Sequence, residues 1–351
     1  MIKKIKFRTP LFLIKIFNYE YWAWWFFYIP ILPYWLYLAA KSRSLTYFTA
    51  TNPSIESGGF FGESKINILN KISDDYKPKT IFIEKGTSIK NILDHINLKN
   101  IAFPLIAKPN IGERGFEVEK INSKEDLLIY VEKNSNDFII QEFINYEIEM
   151  GVMYYRMPNE AKGKVTSITL KQFLSVTGDG QNSIIELLQN SDRARFQIKN
   201  LKKKYGDYLN SVLEKDLLLL LEPIGNHCKG TMFLNGNHLI NEDLHKVFNN
   251  IAANIDGFYY GRFDMKVKSI DNLYEGKNIK IVELNGVSAE PAHIYDPAYK
   301  LINAYSDLIF HWKIIYNICL QNIKNGHKPI SGFQLYTLLK EHFLVKSKAH
   351  V

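Results

Sequence analysis

Arg262, Asp264, Glu283 and Asn285 are the residues of this chain whose types and spacing most plainly invite chemistry. They fall in two runs, GRFDMKV and KIVELN, joined by a polar connection containing Asp271, Asn272 and Gly276, a pattern that predicts a hairpin. Side chains alternate along a strand, so Arg262 and Asp264 share one face, as do Glu283 and Asn285, leaving Phe263, Met265, Ile281, Val282 and Leu284 for the core. Two carboxylates and an amide oxygen at one end of a hairpin form a hard oxygen set, of the kind magnesium uses while its other positions hold water and phosphate oxygens. Taken alone, the pattern is better explained as an amphipathic hairpin with solvated acids, so the rest of the chain decides.

A second chemical stretch, IAKPNIGERG, lies far upstream. Lys108 follows apolar strand residues and projects from a strand end, and a loop carrying Gly112 and Gly115 can turn backbone N–H groups towards phosphate. No GK[ST] follows the glycines, which excludes a Walker A loop. Around it, residues 76–149 alternate strand (TIFI), helix (SIKNILDHI), strand (PLIAKP), glycine loop, helix (SKEDLLIYVEK) and strand (DFIIQEF), the signature of a mixed α and β module. Ser123, with Asp126 three residues on, opens the second of those helices.

The other segments must hold these two stretches together. SLTYFTA reads as a strand, and a helix is predicted to begin near Glu63 after Gly58 and Gly59. VMYYRMP and KVTSITLKQF alternate as a hairpin about Pro158 and Gly163. VTGDGQNSIIELL reads as a glycine turn feeding a helix capped by Asn182 or Ser183. SDRARFQIKNLKKKYGDYL is expected to be a charged helix with a solvated face, and NEDLHKVFNNIAANI an amphipathic one. After Pro297, apolar residues at helical spacing predict core-packing helices and then a basic end.

The first fifty residues are unusual. Lys3, Lys4, Lys6 and Arg8 precede an apolar region, and Tyr21 to Ala40 carries no charge, a length sufficient to span a bilayer. Trp22, Trp24, Trp25 and Trp35 suit a polar boundary instead, and Pro30 with Pro33 would interrupt a spanning helix. The preferred order is an aromatic segment packed in a small N-terminal lobe or dimer contact, then monotopic membrane attachment, then a true span. Glu20 and the length of the apolar region argue against a signal peptide. With 46% hydrophobic residues, the 351-residue chain can bury a large core, and its net charge of +8 is scattered over the sequence without a nucleic-acid motif. Cys228 and Cys319 stand at unrelated positions, which fits reduced cytoplasmic thiols and neither a disulfide framework nor a thiolate metal site.

In this order, strand, Lys-Pro, glycine loop, helix, strand, and then GRFDMKV with VELNGVSAEP, the chain resembles the ATP-grasp superfamily, in particular its D-alanine:D-alanine ligase-like and cyanophycin synthetase-like carboxylate-amine ligases. The resemblance covers residues 60–325 and is carried by the combination of motifs; the run GDG, polar residue, I, EL is a further family marker. It implies an α+β fold with two lobes clasping ATP. Residues 1–75 would be an aromatic segment and reduced pre-grasp lobe, 76–150 the first ATP-grasp lobe, 151–325 the second, and 326–351 a C-terminal helix and tail. By position, it implies magnesium, two ions with manganese as the alternative, at Asp264, Glu283 and Asn285, and charge stabilisation at the reacting centre by Arg262 and Lys171. Lys65, Lys108, Gly112, Arg114 and Gly115 would meet the nucleotide phosphates. Gln141, Glu142 and Ile144 would contact adenine, with Phe143 in the core, and Glu147 or, preferably, Glu149 would take the ribose.

The activity implied is ATP-dependent joining of a small-molecule or peptide carboxylate to an amine or thiol through an acyl phosphate. Phosphotransfer on the same scaffold and non-catalytic nucleotide binding at a membrane surface are the alternatives. Substrate candidates are Asn226, His227, Lys229, Ser288, Glu290 and His293, with Glu63 and Ser64 near the acceptor side; His227 as a general base is a minority reading. GVSAEPAHIYDP after Asn285 replaces the usual dipeptide-binding turn, which puts D-alanine itself in doubt. The implied setting is cytoplasmic, or peripheral at the inner membrane face through residues 11–40, with a homodimer as one option and no nucleic-acid partner.

Overall fold

The computed structural model describes residues 8–112 and 115–348, the side chains of 341–348 excepted. Its centre is two antiparallel sheets. One is built from β1 (Thr80–Ile83), β2 (Leu105–Pro109), β3 (Glu119–Ile121) and β4 (Phe138–Glu142), in the order β1-β4-β2-β3. The other contains β5 (Ile148–Tyr155), β6 (Lys164–Gln172), β9 (Met232–Asn235), β10 (Tyr260–Val267) and β11 (Ile279–Asn285), in the order β11-β10-β5-β6-β9. A small ribbon, β7 (Ser175–Thr177) with β8 (Leu218–Leu220), stands apart. The fold is therefore α+β.

Helices cover one face of each sheet. On the smaller sheet, α5 (Ile89–Leu98) presents Ile92 and Ile96, and α6 (Lys124–Lys133) presents Leu127 and Tyr130. Their starts are fixed by Ser88 and Ser123, whose hydroxyls accept from the N–H groups of Asn91 and Asp126. Across the larger sheet lies α9 (Glu242–Ala253). Its Leu244, Val247, Phe248 and Ile251 fall on one helical stripe and bury against Phe263, Met265 and Ile281, while Asn241 caps its first turn. A satellite core joins α7 (Ile184–Leu188), opened by a Ser183–Glu186 capping box, to α8 (Asp192–Tyr205).

The N-terminal segment forms short pieces: α1 (Leu11–Phe17), α2 (Trp24–Tyr28) and α3 (Leu32–Ser42). They pack beside α11 (Leu301–Lys324), with Phe27 and Ile31 against Ala304 and Leu308. SLTYFTA is not a strand. Tyr47–Ala50 is a 3₁₀ turn buried on every side against α11, where an alternating strand would have no use for its polar face. The next helix, α4 (Lys65–Leu69), starts at Lys65 with Ser64 as its cap.

Asn52 ties this segment to β10. Fully buried, it donates to Gly58 O and Tyr260 O at 3.0 and 2.9 Å, and accepts from the N–H groups of Tyr259 and Tyr260 at 2.8 and 3.0 Å. Gly58 and Gly59 are part of the same fastening, since Val287 and Ser288 donate backbone hydrogen bonds to them. A Cβ on Gly59 would lie 2.5 Å from Gly286 Cα, and its φ of +80° already favours glycine.

The connection between β10 and β11 is also more structured than a turn: it contains α10 (Ile270–Glu275), capped by Ser269. The last helix is α12 (Gly332–Lys348).

Candidate active site

β10 and β11 pair with Arg262 opposite Asn285 and Asp264 opposite Glu283, so the four polar side chains meet at one end of the ladder. Immediately beyond, the register shifts, and Val282 is the extra residue between Glu283 and Ile281. That bulge explains why Val282 is only half-buried while Ile281 and Leu284 are in the core, against the expectation that all three would be. It also presents the Val282 carbonyl to the other sheet, where Lys108 Nζ donates to it at 2.9 Å.

Lys108 stands on β2 at the boundary between the sheets. Its ammonium also donates to Gln141 Oε1 at 3.2 Å, and Gln141 in turn donates to Thr80 Oγ1 at 3.1 Å. Burial pushes the Lys108 ammonium down from the usual lysine range to about 8, against the attraction of Glu283. Lys65, at the start of α4, donates to Gly112 O in the glycine loop and lies 3.5 Å from Glu283 Oε1. Gly112 and Gly115 line the cleft, and Arg114 lies outside the described residues.

Asp264 is the electrostatic centre. Arg262 grips it with Nε and an amino group at 3.1 to 3.3 Å, Lys171 lies 3.4 Å from Oδ1, and Asn285 Nδ2 donates to Oδ2 at 2.8 Å. Burial works to raise the Asp264 carboxyl, but Arg262 and Lys171 outweigh it and hold it below the usual carboxylate range. Burial likewise opposes the charge on Lys171, and Asp264 with Glu149 overcomes it, keeping the ammonium raised.

Glu149 is buried on β5. It accepts from Lys171 at 3.1 Å and lies 3.6 Å from Lys266, whereas Glu147 is exposed and does not line the cleft. Gly151, opposite Asp264 on β5, makes room for this cluster, because a Cβ there would sit 2.9 Å from Arg262 Cδ and 3.0 Å from Asp264 Oδ1.

These groups line one cleft of about 1540 Å³ between the two sheets. On the first-sheet side, Ile106, Gln141, Glu142 and Ile144 also face it. Phe143, expected in the core, faces the cleft too, with the ammonium groups of Lys120 and Lys266 at 4.2 and 5.4 Å from its ring centre. The cause of this orientation is local. β4 ends at Glu142, so strand alternation no longer governs residue 143, and Ile144 takes the buried place instead.

Asn226 and His227 reach the cleft from the loop between β8 and β9, and Asn226 Nδ2 crowds Gly115 of the glycine loop. Ser288, Glu290 and Glu63 line the cleft as well; Lys229, Ser64 and His293 do not. His293 is instead a buried bracket between Ser167 Oγ at 2.6 Å and Asp307 Oδ2 at 3.1 Å, which removes it from the acceptor side.

Four contributors had no signal in the local sequence. Glu20 pairs with Arg193 of α8 and lies 3.4 Å from His227, so the face of α8 expected to be solvated carries a cleft residue. Burial works to raise the Glu20 carboxyl, and His227 and Arg193 hold it low. Tyr28 and Tyr295 donate to the two oxygens of Glu290, Tyr295 at 2.8 Å.

Among the described residues no group of three His, Cys, Asp or Glu side chains could hold a metal ion. The oxygen set of Asp264, Glu283 and Asn285 depends on an amide as its third member. It fits a hard divalent cation on its chemistry: Asp264 is held ionised, Glu283 stands opposite it in register, and both turn into the cleft.

No protein-family model and no curated protein matches the chain. Among solved structures it is similar to the VanG D-Ala:D-Ser ligase of Enterococcus faecalis, at 14% identity and a TM-score of 0.42, over 73% of this chain and 61% of that one. It is also similar to the D-alanine–D-alanine ligase of Bacillus anthracis complexed with ATP, at 15% identity and a TM-score of 0.40, over 74% and 65%. A bifunctional glutathione synthetase of Pasteurella multocida matches at 17% identity and 0.38, over 70% of this chain and 35% of that one. Likenesses at this identity and overlap assign no activity to the chain.

Proposed function

We propose that the chain is an ATP- and magnesium-dependent ligase that joins a carboxylate to an amine or thiol. The observation that carries the reading is the convergence of Lys65, Lys171 and Arg262 on the ionised Asp264 and its cross-strand partner Glu283, with Lys108 of the other sheet donating to the adjoining Val282 carbonyl. Cations and carboxylates gathered in one place suit a polyanion bound together with a metal ion, and nucleotide phosphates are the polyanion that also needs a hard-oxygen metal set. Asp264, Glu283 and Asn285 would hold the magnesium, which would supply charge neutralisation at the terminal phosphates.

Lys108 and Lys171, held at the cleft wall by Gln141 and Glu149, would pair with phosphate oxygens. A substrate carboxylate oxygen would attack the γ-phosphorus as the bond to ADP breaks, giving an acyl phosphate. The amine would then add to the acyl carbon, lose its proton, and expel inorganic phosphate. Arg262, fixed by Asp264 and by Glu290 O at 3.1 Å, would stabilise negative charge on the acyl oxygen without having to reorganise. Ile106, Phe143 and Ile144 would form the adenine wall, and Glu149 the ribose side.

The test is a phosphate-release screen over carboxylate and amine pairs. Release that requires both partners, and that falls at least a hundredfold in Asp264→Asn and Glu283→Gln, is expected. A phosphorylated carboxylate accumulating with no dependence on amine would make the protein a kinase, and turnover surviving both substitutions would refute the metal assignment.

We also propose peripheral membrane attachment through residues 11–40. Phe12, Phe17, Trp24, Trp25, Ile29 and Tyr37 are exposed beside Lys15 and Lys41, a composition that suits an anionic lipid interface. Among the described residues no helix is long and apolar enough to cross a membrane.

A further inference from the structure

The cleft is larger than the reaction centre needs. Ligand pockets commonly enclose about 300 to 1,000 Å³, and this one holds about 1540 Å³. Beyond Arg262 its character changes, because the walls become Ile31 and Trp35 of the N-terminal segment, Phe48, and Leu308, Trp312 and Ile315 of α11.

Of the polar groups lining this half, Glu290, His311 and Glu20 are already paired within the protein, while Lys15, Asn200 and Ser288 are exposed. Both oxygens of Glu290 accept from tyrosines, His311 Nδ1 lies 3.0 Å from the Tyr260 hydroxyl, and Glu20 is paired with Arg193. A site built for a second polar substrate would aim buried donors and acceptors at it, since that is how polar ligands are selected. Here the protein consumes its own. At the mouth, Trp24, Leu32 and Leu45 line the cleft and yet are 60%, 51% and 65% exposed, an apolar collar around the opening.

We propose that one of the two substrates is an amphiphile with an acyl chain: its polar head reaches Arg262 and its hydrocarbon chain lies in the aromatic half of the cleft. The inference rests on the ligase reading for the role of this molecule as substrate, but its binding can be measured without turnover.

Trp22, Trp24, Trp35 and Trp312 line the cleft, so tryptophan fluorescence reports occupancy directly. The probes are straight-chain carboxylates of about four, eight and twelve carbons, titrated below their aggregation threshold into the full chain, and each added methylene should tighten binding by about two- to fourfold. Leu32→Glu and Trp24→Glu, at positions exposed enough to leave the fold intact, should flatten that dependence while the unfolding temperature stays within a degree or two of the parent.

A parent protein indifferent to chain length overturns the proposal, and so does an undiminished dependence in both variants. The ligase reading fails separately: chain-length dependence with no phosphate release from any carboxylate–amine pair would leave an acyl-chain site in a protein that is not a ligase. Phosphate release from short polar pairs, with no response to chain length, would leave a ligase without one.

Discussion

Replacing Lys108 by methionine should stabilise the nucleotide-free protein at neutral pH while abolishing nucleotide binding. The ammonium sits in a buried boundary between the sheets, where its pKa falls from 10.5 to about 8. Holding it charged at pH 7 therefore costs about 3 kcal/mol relative to the unfolded chain. Methionine removes that penalty and also removes the donors to Val282 O and Gln141 Oε1, each worth about 1 kcal/mol. The variant should gain about 1 kcal/mol at pH 7.

The sign must then reverse with pH. A lysine whose folded pKa is depressed destabilises fully below about 8, and the penalty disappears as pH rises from 8 towards 10.5, because the folded chain releases its proton first. By pH 10.5 only the lost hydrogen bonds remain, and the variant should be the weaker by about 2 kcal/mol. Urea unfolding of both proteins at the two pH values, with and without a non-hydrolysable ATP analogue, measures all of this. A variant destabilised equally at both pH values would refute the idea that Lys108 is a buried charge awaiting a polyanion.

Gly151→Ala should fold, since the clashes it creates are with the side chains of Arg262 and Asp264 and not with backbone, but turnover should fall by at least tenfold as those side chains shift; steady-state kinetics beside a melting curve separates the two effects. Above pH 8, nucleotide affinity should fall by up to tenfold per pH unit as Lys108 loses its proton, and calorimetry in buffers of different ionisation enthalpy should show proton uptake on binding. Flotation with anionic vesicles should carry the full chain upwards, and Trp25→Glu with Tyr37→Glu should abolish it; flotation unchanged by the pair would move the contact elsewhere.

The chemistry of the second sheet could be read from sequence because strand alternation converts spacing directly into facing: Arg262, Asp264, Glu283 and Asn285 need only the antiparallel pairing of two runs to meet. Lys108 was legible for a related reason, standing at the end of an apolar strand before a glycine loop. What escaped depends on departures from regularity or on long-range packing. The bulge at Val282 turns a backbone carbonyl into a partner for Lys108, and a bulge leaves no mark in side-chain type. Phe143 lies one residue past the end of its strand, where alternation stops predicting.

The N-terminal contribution was the least accessible. Tyr28 meets Glu290, and Glu20 meets Arg193, across more than 170 residues of sequence, so composition suggested an aromatic segment packed in a small lobe or dimer contact without revealing that its inner face completes the cleft. His293 erred the other way. Its position after β11 suggested substrate contact, but Ser167 and Asp307 occupy both ring nitrogens.

The central claim is that the polar half of the cleft is a magnesium–nucleotide site. Calorimetric titration of a non-hydrolysable ATP analogue, with and without magnesium, into the parent protein, Asp264→Asn and Glu283→Gln tests it most directly. Saturable binding strengthened at least tenfold by magnesium in the parent, with that enhancement lost in both variants, is predicted; absent binding, or a magnesium effect identical in all three proteins, would contradict it.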